Sequence, residues 1–159
     1  MYKVGDKIFY PMHGAGVIES MEEKEILGEK QLYFIIKFPY REMQIMIPKE
    51  KISNLNIRPL VEPSIIDDVF NQFHEGETET IANPNHRYRN NMNKLKSGDI
   101  YEGSQVIRDL TRMSRERTLG TDDRAMLDQA QQLLISEVSL VNNIEQEDAS
   151  ELLTKVIEE

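Results

Sequence analysis

Between Lys7 and Pro48 the apolar positions come in short runs of β-branched and aromatic residues separated by turn chemistry, a period-two texture that predicts strands. Lys7 to Tyr10 is the first run and ends at Pro11. Gly14 and Gly16 open a second through Val17 and Ile18, and Leu27-Gly28-Glu29 reads as the tip of a hairpin leading into Gln31 to Phe38. A further strand, Glu42 to Ile47, stops at Pro48. Its alternation sends Met43, Ile45 and Ile47 to one face and Gln44 and Met46 to the other. Four or five short strands in this space close most economically into a small SH3-like or Tudor-like antiparallel barrel, which also hides their edges.

Around Pro59 to Pro63 the texture changes to a period near 3.6. Ser64 is an N-cap candidate for a helix through Phe73 whose stripe is Ile65, Ile66, Val69, Phe70 and Phe73. His74 to Ala82 is polar, acidic and aperiodic, as a loop would be. Asn83-Pro84 is a start signal for a second helix to about Lys96, ended by Gly98; Asp99 caps a third to about Arg117. Thr121 caps a fourth, carrying Met126, Leu127, Ala130, Leu133, Leu134, Val138 and Val141, and a last short helix holds Leu152, Leu153, Val156 and Ile157. The predicted class is α+β: a barrel over residues 1–60, then a compact all-α domain of about five helices over 61–159.

Composition narrows the functions available. No apolar run approaches the roughly 20 residues that span a bilayer, and MYKVGDKIFY has no secretory h-region, so a cytoplasmic protein is expected. The absence of cysteine excludes disulfides, a thiolate nucleophile and sulfur-ligated zinc, and His13, His74 and His86 are too dispersed for a metal cluster. The net charge of −9 argues against nucleic acid at first sight, but it is unevenly spread. Residues 84–117 hold eight Lys/Arg against four Asp/Glu, whereas 61–83 hold no base and six acids and 118–159 hold two bases and ten acids. One basic segment bracketed by acidic ones is the part that could meet a phosphate backbone.

Catalytic constellations are sparse. Gly14-Ala15-Gly16 is a fragment of a dinucleotide fingerprint, yet it precedes a strand and lacks the helix that would hold a phosphate, so it reads as a tight bend. His13 has no accompanying nucleophile motif, and Asp67-Asp68 and Asp122-Asp123 lie in or near first helical turns, where negative charge complements the macrodipole. The basic segment offers more. On the third helix Gly103, Val106, Ile107, Leu110 and Met113 cluster on one side while Arg108, Arg112 and Arg115 line the other. On the second, Arg87 with Lys94 and Arg89 with Lys96 recur at seven-residue spacing around Tyr88. Such a surface either neutralises phosphates without reading bases or is a solvated face supported by i,i+4 pairs.

Taken together, Lys3-Val4-Gly5-Asp6, Ile8-Phe9-Tyr10-Pro11, His13-Gly14-Ala15-Gly16, Ile45-Met46-Ile47-Pro48, Arg87-Tyr88-Arg89, Lys94 to Asp99, Val106 to Leu110 and Met126-Leu127 resemble the CarD/CdnL family of bacterial transcription factors across nearly the whole chain. The opening strand block is also similar to the polymerase-interacting domain of transcription-repair coupling factors; the helical half distinguishes the two.

The resemblance implies a Tudor-like domain docked on the RNA polymerase β subunit and a helical domain touching promoter DNA at the upstream edge of the bubble, placing the protein on the nucleoid through polymerase. Docking positions carried over are Lys24, Ile35, Met46 and Pro48; Met46 is apolar where some relatives carry arginine. DNA positions are Pro84, His86, Arg87, Arg89, Met92, Thr121 and Arg124, with Arg112 added from the third helix. Pro84 stands where relatives have a tryptophan wedge, and Asp128 and Gln129 replace bases of the fourth helix. The implied activity is stabilisation of the open promoter complex through weak contacts that do not read sequence, with no catalysis, cofactor, membrane or small-molecule substrate. The competing reading is a polymerase-docking adaptor whose helical half binds another protein. A small enzyme would instead require a concave pocket with perturbed titratable groups.

Overall fold

The computed structural model describes residues Met1–Glu159 as a five-stranded antiparallel sheet followed by five α-helices. The strands are β1 (Lys7–Tyr10), β2 (Gly14–Ile26), β3 (Glu29–Phe38), β4 (Met43–Pro48) and β5 (Arg58–Pro59), in the spatial order β4-β3-β2-β1-β5. A 3-10 turn over Lys49–Asn54 links the last two. Even-numbered β3 residues Phe34, Ile36 and Phe38 point inward with Ile8, Ile18, Ile47, Ile52 and Ile57 to make the sheet's core. β4 and β5 stand at the two ends of this order and do not pair with each other, and the arrangement is consistent with the expected Tudor-like domain followed by a helical one. β5 is only two residues long and its Pro59 has no N–H to give.

β2 runs to Ile26, well past the Ile18 at which its apolar signal fades, because Glu22, Glu23 and Glu25 are weak strand formers held there by pairing with β3. A bulge between Ile18 and Ser20 leaves Glu19 without a partner, so Ile18 faces the core opposite Ile36 whereas Ser20 faces outward opposite Ile35.

The helices are α1 (Pro63–Gln72), α2 (Pro84–Ser97), α3 (Ile100–Glu116), α4 (Thr121–Asn142) and α5 (Gln146–Glu158). Asn83 Oδ1 accepts the His86 N–H at 3.0 Å ahead of Pro84, Gly98 ends α2 at φ 73°, and Asp99 Oδ1 accepts the Tyr101 and Glu102 N–H groups. Two starts differ from the sequence expectation. Pro63 takes the first helical position of α1, so Glu62 is its N-cap and Ser64 lies inside the turn; Gly120, not Thr121, caps α4. α5 begins six residues before Leu152, its opening turn masked by Glu147 and Asp148, which suit a helix start but carry no apolar period. Ile66, Val69, Leu95, Val106, Ile107, Leu110, Met126, Leu134 and Val138 are among the residues of the helical core.

The two halves pack directly. Glu137 of α4, 1% exposed, receives both arms of the Arg58 guanidinium at 2.7 Å, and Arg58 Nε donates to Gly98 O at 2.7 Å while its plane lies over Phe9. Ala15 N donates to Ser136 Oγ at 3.0 Å, and a Cβ on Gly14 would lie 2.8 Å from that oxygen. Gly14-Ala15 is therefore a close-approach seam between sheet and helix, and φ 100° at Gly14 adds a second reason for glycine.

Candidate docking face and nucleic-acid interface

Strand register decides which sheet residues meet. Ile35 stands opposite Met46, Tyr33 opposite Pro48 and Lys24 opposite Gln31, and Gln31, Tyr33 and Ile35 alternate on one side of β3. Lys24, Ile35, Met46 and Pro48 thus share the face opposite the core, with Tyr33 between them. Met46 is 46% exposed, whereas Ile35 is 6% exposed and forms the floor beneath its neighbours. Lys24 Nζ lies 3.6 Å from Glu22 Oε1 in an exposed pair. Tyr33 escaped notice in the sequence because its position on the same face becomes visible only with the register. Met46 and Pro48 lie on β4, whose outer edge has no partner strand.

The second set gathers at the N-terminal ends of α2 and α4. Arg87 joins them: Nη2 donates to Asp123 Oδ2 at 2.7 Å, Nε to Oδ1 at 3.3 Å and Nη1 to Ile81 O at 3.1 Å, both side chains being buried. Asp123, read in the sequence as a helix-start residue, is thereby a structural partner as well. Beside this clamp lies a cleft of about 390 Å³ whose lining includes Pro84, Tyr88, Arg117 and Thr121. Pro84 and Thr121 are exposed at its lining, and His86, Arg89 and Arg124 are exposed without lining it, with Arg124 Nη2 reaching Leu119 O at 3.3 Å. Met92 is half-buried and packs against the helical core.

Two expected phosphate contacts have other work. Arg87 is buried in the clamp just described. Arg112 donates to the carbonyls of Phe73, Glu75 and Gly76 and to Thr78 Oγ1 at 3.0–3.5 Å. Arg108 holds Glu75 O and Glu77 O, Asp109 accepts the Glu79 N–H, and Arg115 donates to Ile157 O at 2.7 Å. Arg108 and Arg112 are thus partly covered and occupied by the acidic 73–78 stretch, whereas Arg115 reaches the end of α5 and stays exposed. Backbone carbonyls satisfy an arginine fork as phosphate oxygens would, and helical periodicity does not distinguish them. Lys94 Nζ, 2.8 Å from Glu79 Oε2, ties the same loop to α2 and holds the Glu79 carboxyl below its ordinary pKa, chiefly through that hydrogen bond.

His13 packs 4.4 Å from the Tyr10 ring and 6.1 Å from Phe38, and its buried Nδ1 has no hydrogen-bond partner. Burial first, and Arg41 second, push its pKa down. No three His, Cys, Asp or Glu side chains converge as metal ligands, and no helix is long and apolar enough to cross a membrane.

Two family models match the chain. Residues 2–61 match the CarD-like/TRCF RID domain and residues 68–154 match the CarD C-terminal domain. The chain is similar to a Bacillus subtilis (strain 168) protein named "Putative transcription factor YdeB", with 43% identity over 144 residues, 91% of this chain and 94% of the relative.

Proposed function

This chain belongs to the CarD family of transcription factors, and from that premise we propose that it docks on the RNA polymerase β subunit through its sheet and stabilises the open promoter complex by touching DNA at the upstream edge of the bubble. The observation that carries the reading is the common face of Lys24, Tyr33, Met46 and Pro48, an apolar-centred patch bordered by an unpaired strand edge. An open edge offers main-chain hydrogen bonds to a partner strand while alternate side chains supply selectivity. Lys24 and Met46 are the contacts, and Ile35 shapes the surface from below.

On the DNA side, Arg89 and Arg124 supply charge, Pro84 and Thr121 meet the backbone or wedge into a groove, and His86 and Met92 flank them. Arg87 and Arg112 act as positioning residues. The division of labour falls near residue 60, with 1–60 gripping polymerase and 61–159 reaching DNA. Two exposed arginines on an acidic chain bind free DNA poorly and lose it with salt. Tethering changes this, because docking makes the DNA contact intramolecular. Contacts available only when the bubble is open shift the closed–open equilibrium, about 1.4 kcal/mol giving a tenfold change.

The occupied arginines of α3 favour one alternative, an adaptor whose helical half binds protein. Binding to the cognate polymerase core and lifetime of the open bubble separate the two. Met46→Asp abolishes both under either reading, whereas Arg89→Glu with Arg124→Glu shortens bubble lifetime at unchanged polymerase affinity only if DNA is touched.

A further inference from the structure

The β2–β3 hairpin projects beyond the sheet's core as an arm that nothing in the molecule covers. Eight large apolar side chains of the chain are exposed, and four of them, Met21, Ile26, Leu27 and Leu32, are on this arm. Met21 lies on its inner face opposite Phe34, the last core residue of β3, Leu32 lies on the same face beyond it, and Ile26 and Leu27 form the tip. Leu27 is 99% exposed and sits at φ 52°, with Gly28 at φ 80°. Two positive φ values in a two-residue hairpin turn favour asparagine, aspartate or glycine at the first position. A leucine there is strained, and because it stays fully hydrated it gives the fold nothing in return.

The arm is also acidic. Glu19, Glu22, Glu23, Glu25 and Glu29 outnumber Lys24 and Lys30, which repels nucleic acid and anionic lipid and attracts a cationic protein surface. Its outer face is continuous with the docking patch: the Lys24–Gln31 pair is two pairs from the tip, and Leu27 lies roughly 20 Å along the strands from Met46. We propose that Leu27 and Ile26 are a second anchor on polymerase, inserting into an apolar recess rimmed by Lys or Arg on the surface that receives Met46. This inference rests on the polymerase-docking reading above.

The test uses Leu27→Asn in the full chain, measured for thermal stability, for affinity to the cognate polymerase core, and for self-association by sedimentation. Asparagine suits the left-handed turn, so melting temperature is expected to hold or rise while polymerase affinity falls tenfold or more. Glu23→Lys with Glu25→Lys is expected to weaken binding further and flatten its dependence on salt. Met46→Asp serves as the control for the docking reading. Loss of affinity in Met46→Asp with Leu27→Asn binding like the wild type overturns the second anchor and leaves the first. Wild-type affinity in both variants overturns the docking reading and the arm with it. Self-association that Leu27→Asn abolishes at unchanged polymerase affinity gives the arm to a second copy of the chain and likewise overturns the proposal.

Discussion

The sheet half and the helical half use their candidate contact residues in opposite ways. On the sheet, Lys24, Met46 and Pro48 stand clear of the core with little intramolecular work to do, Lys24 making one exposed pair. On the helices, Arg87 and Arg112 are bound by the protein's own carboxylates and carbonyls, and it is Arg89 and Arg124, less prominent in the pattern, that reach outward. The contrast teaches that a cation on a helix is ambiguous until its neighbours are known. An apolar residue on the polar face of an edge strand is already close to a statement about a partner.

The sharpest way to break the contrast is at the seam that joins the halves. Removing Arg58 leaves Glu137 buried with one N–H donor, from Val61, instead of three, so Arg58→Ala is expected to cost about 3–5 kcal/mol in denaturant unfolding. Next comes the clamp between α2 and α4. Arg87→Ala should lose about 3 kcal/mol by stranding Asp123, whereas Arg89→Ala two residues on should stay within about 0.5 kcal/mol of wild type. Equal costs for the two would erase the distinction between bound and outward arginines.

Arg112→Ala should cost about 1–2 kcal/mol, and hydrogen exchange should quicken across residues 74–82 before the rest of the helical half responds. The smallest effect lies at His13. Because burial lowers its pKa in the folded state, the folded protein binds this proton less readily than the unfolded chain. Its contribution is complete above the unfolded value of about 6.5 and is lost as pH falls from there through the lower folded value. Urea midpoints of His13→Gln should therefore fall less between pH 7 and pH 5 than those of the wild type.

What could be read in advance follows the same division. Period two in Glu42 to Ile47 assigned Met46 to the outer face without any knowledge of the neighbouring strands, and Asn83-Pro84, Gly98 and Asp99 marked helix ends through local chemistry alone. Contacts between distant residues were beyond reach. Arg58 and Glu137 are 79 residues apart, and nothing near either marks the other as its partner. The loop that covers α3 has no period, so its docking on Arg108 and Arg112 leaves no trace along the chain. Tyr33 looked like any strand aromatic until its pairing with Pro48 put it beside Met46.

Glu19, the one residue of β2 left out of the ladder, adds half a wavelength to that strand. Were it drawn into the ladder opposite Ile35, every side chain from Ser20 onward would swap sides: Lys24 would turn inward and Met21 would join Ile35 and Met46 on the outer surface. Whether one residue stands inside or outside the ladder, more than the chemistry of any side chain, therefore determines which face the far end of the hairpin turns outward.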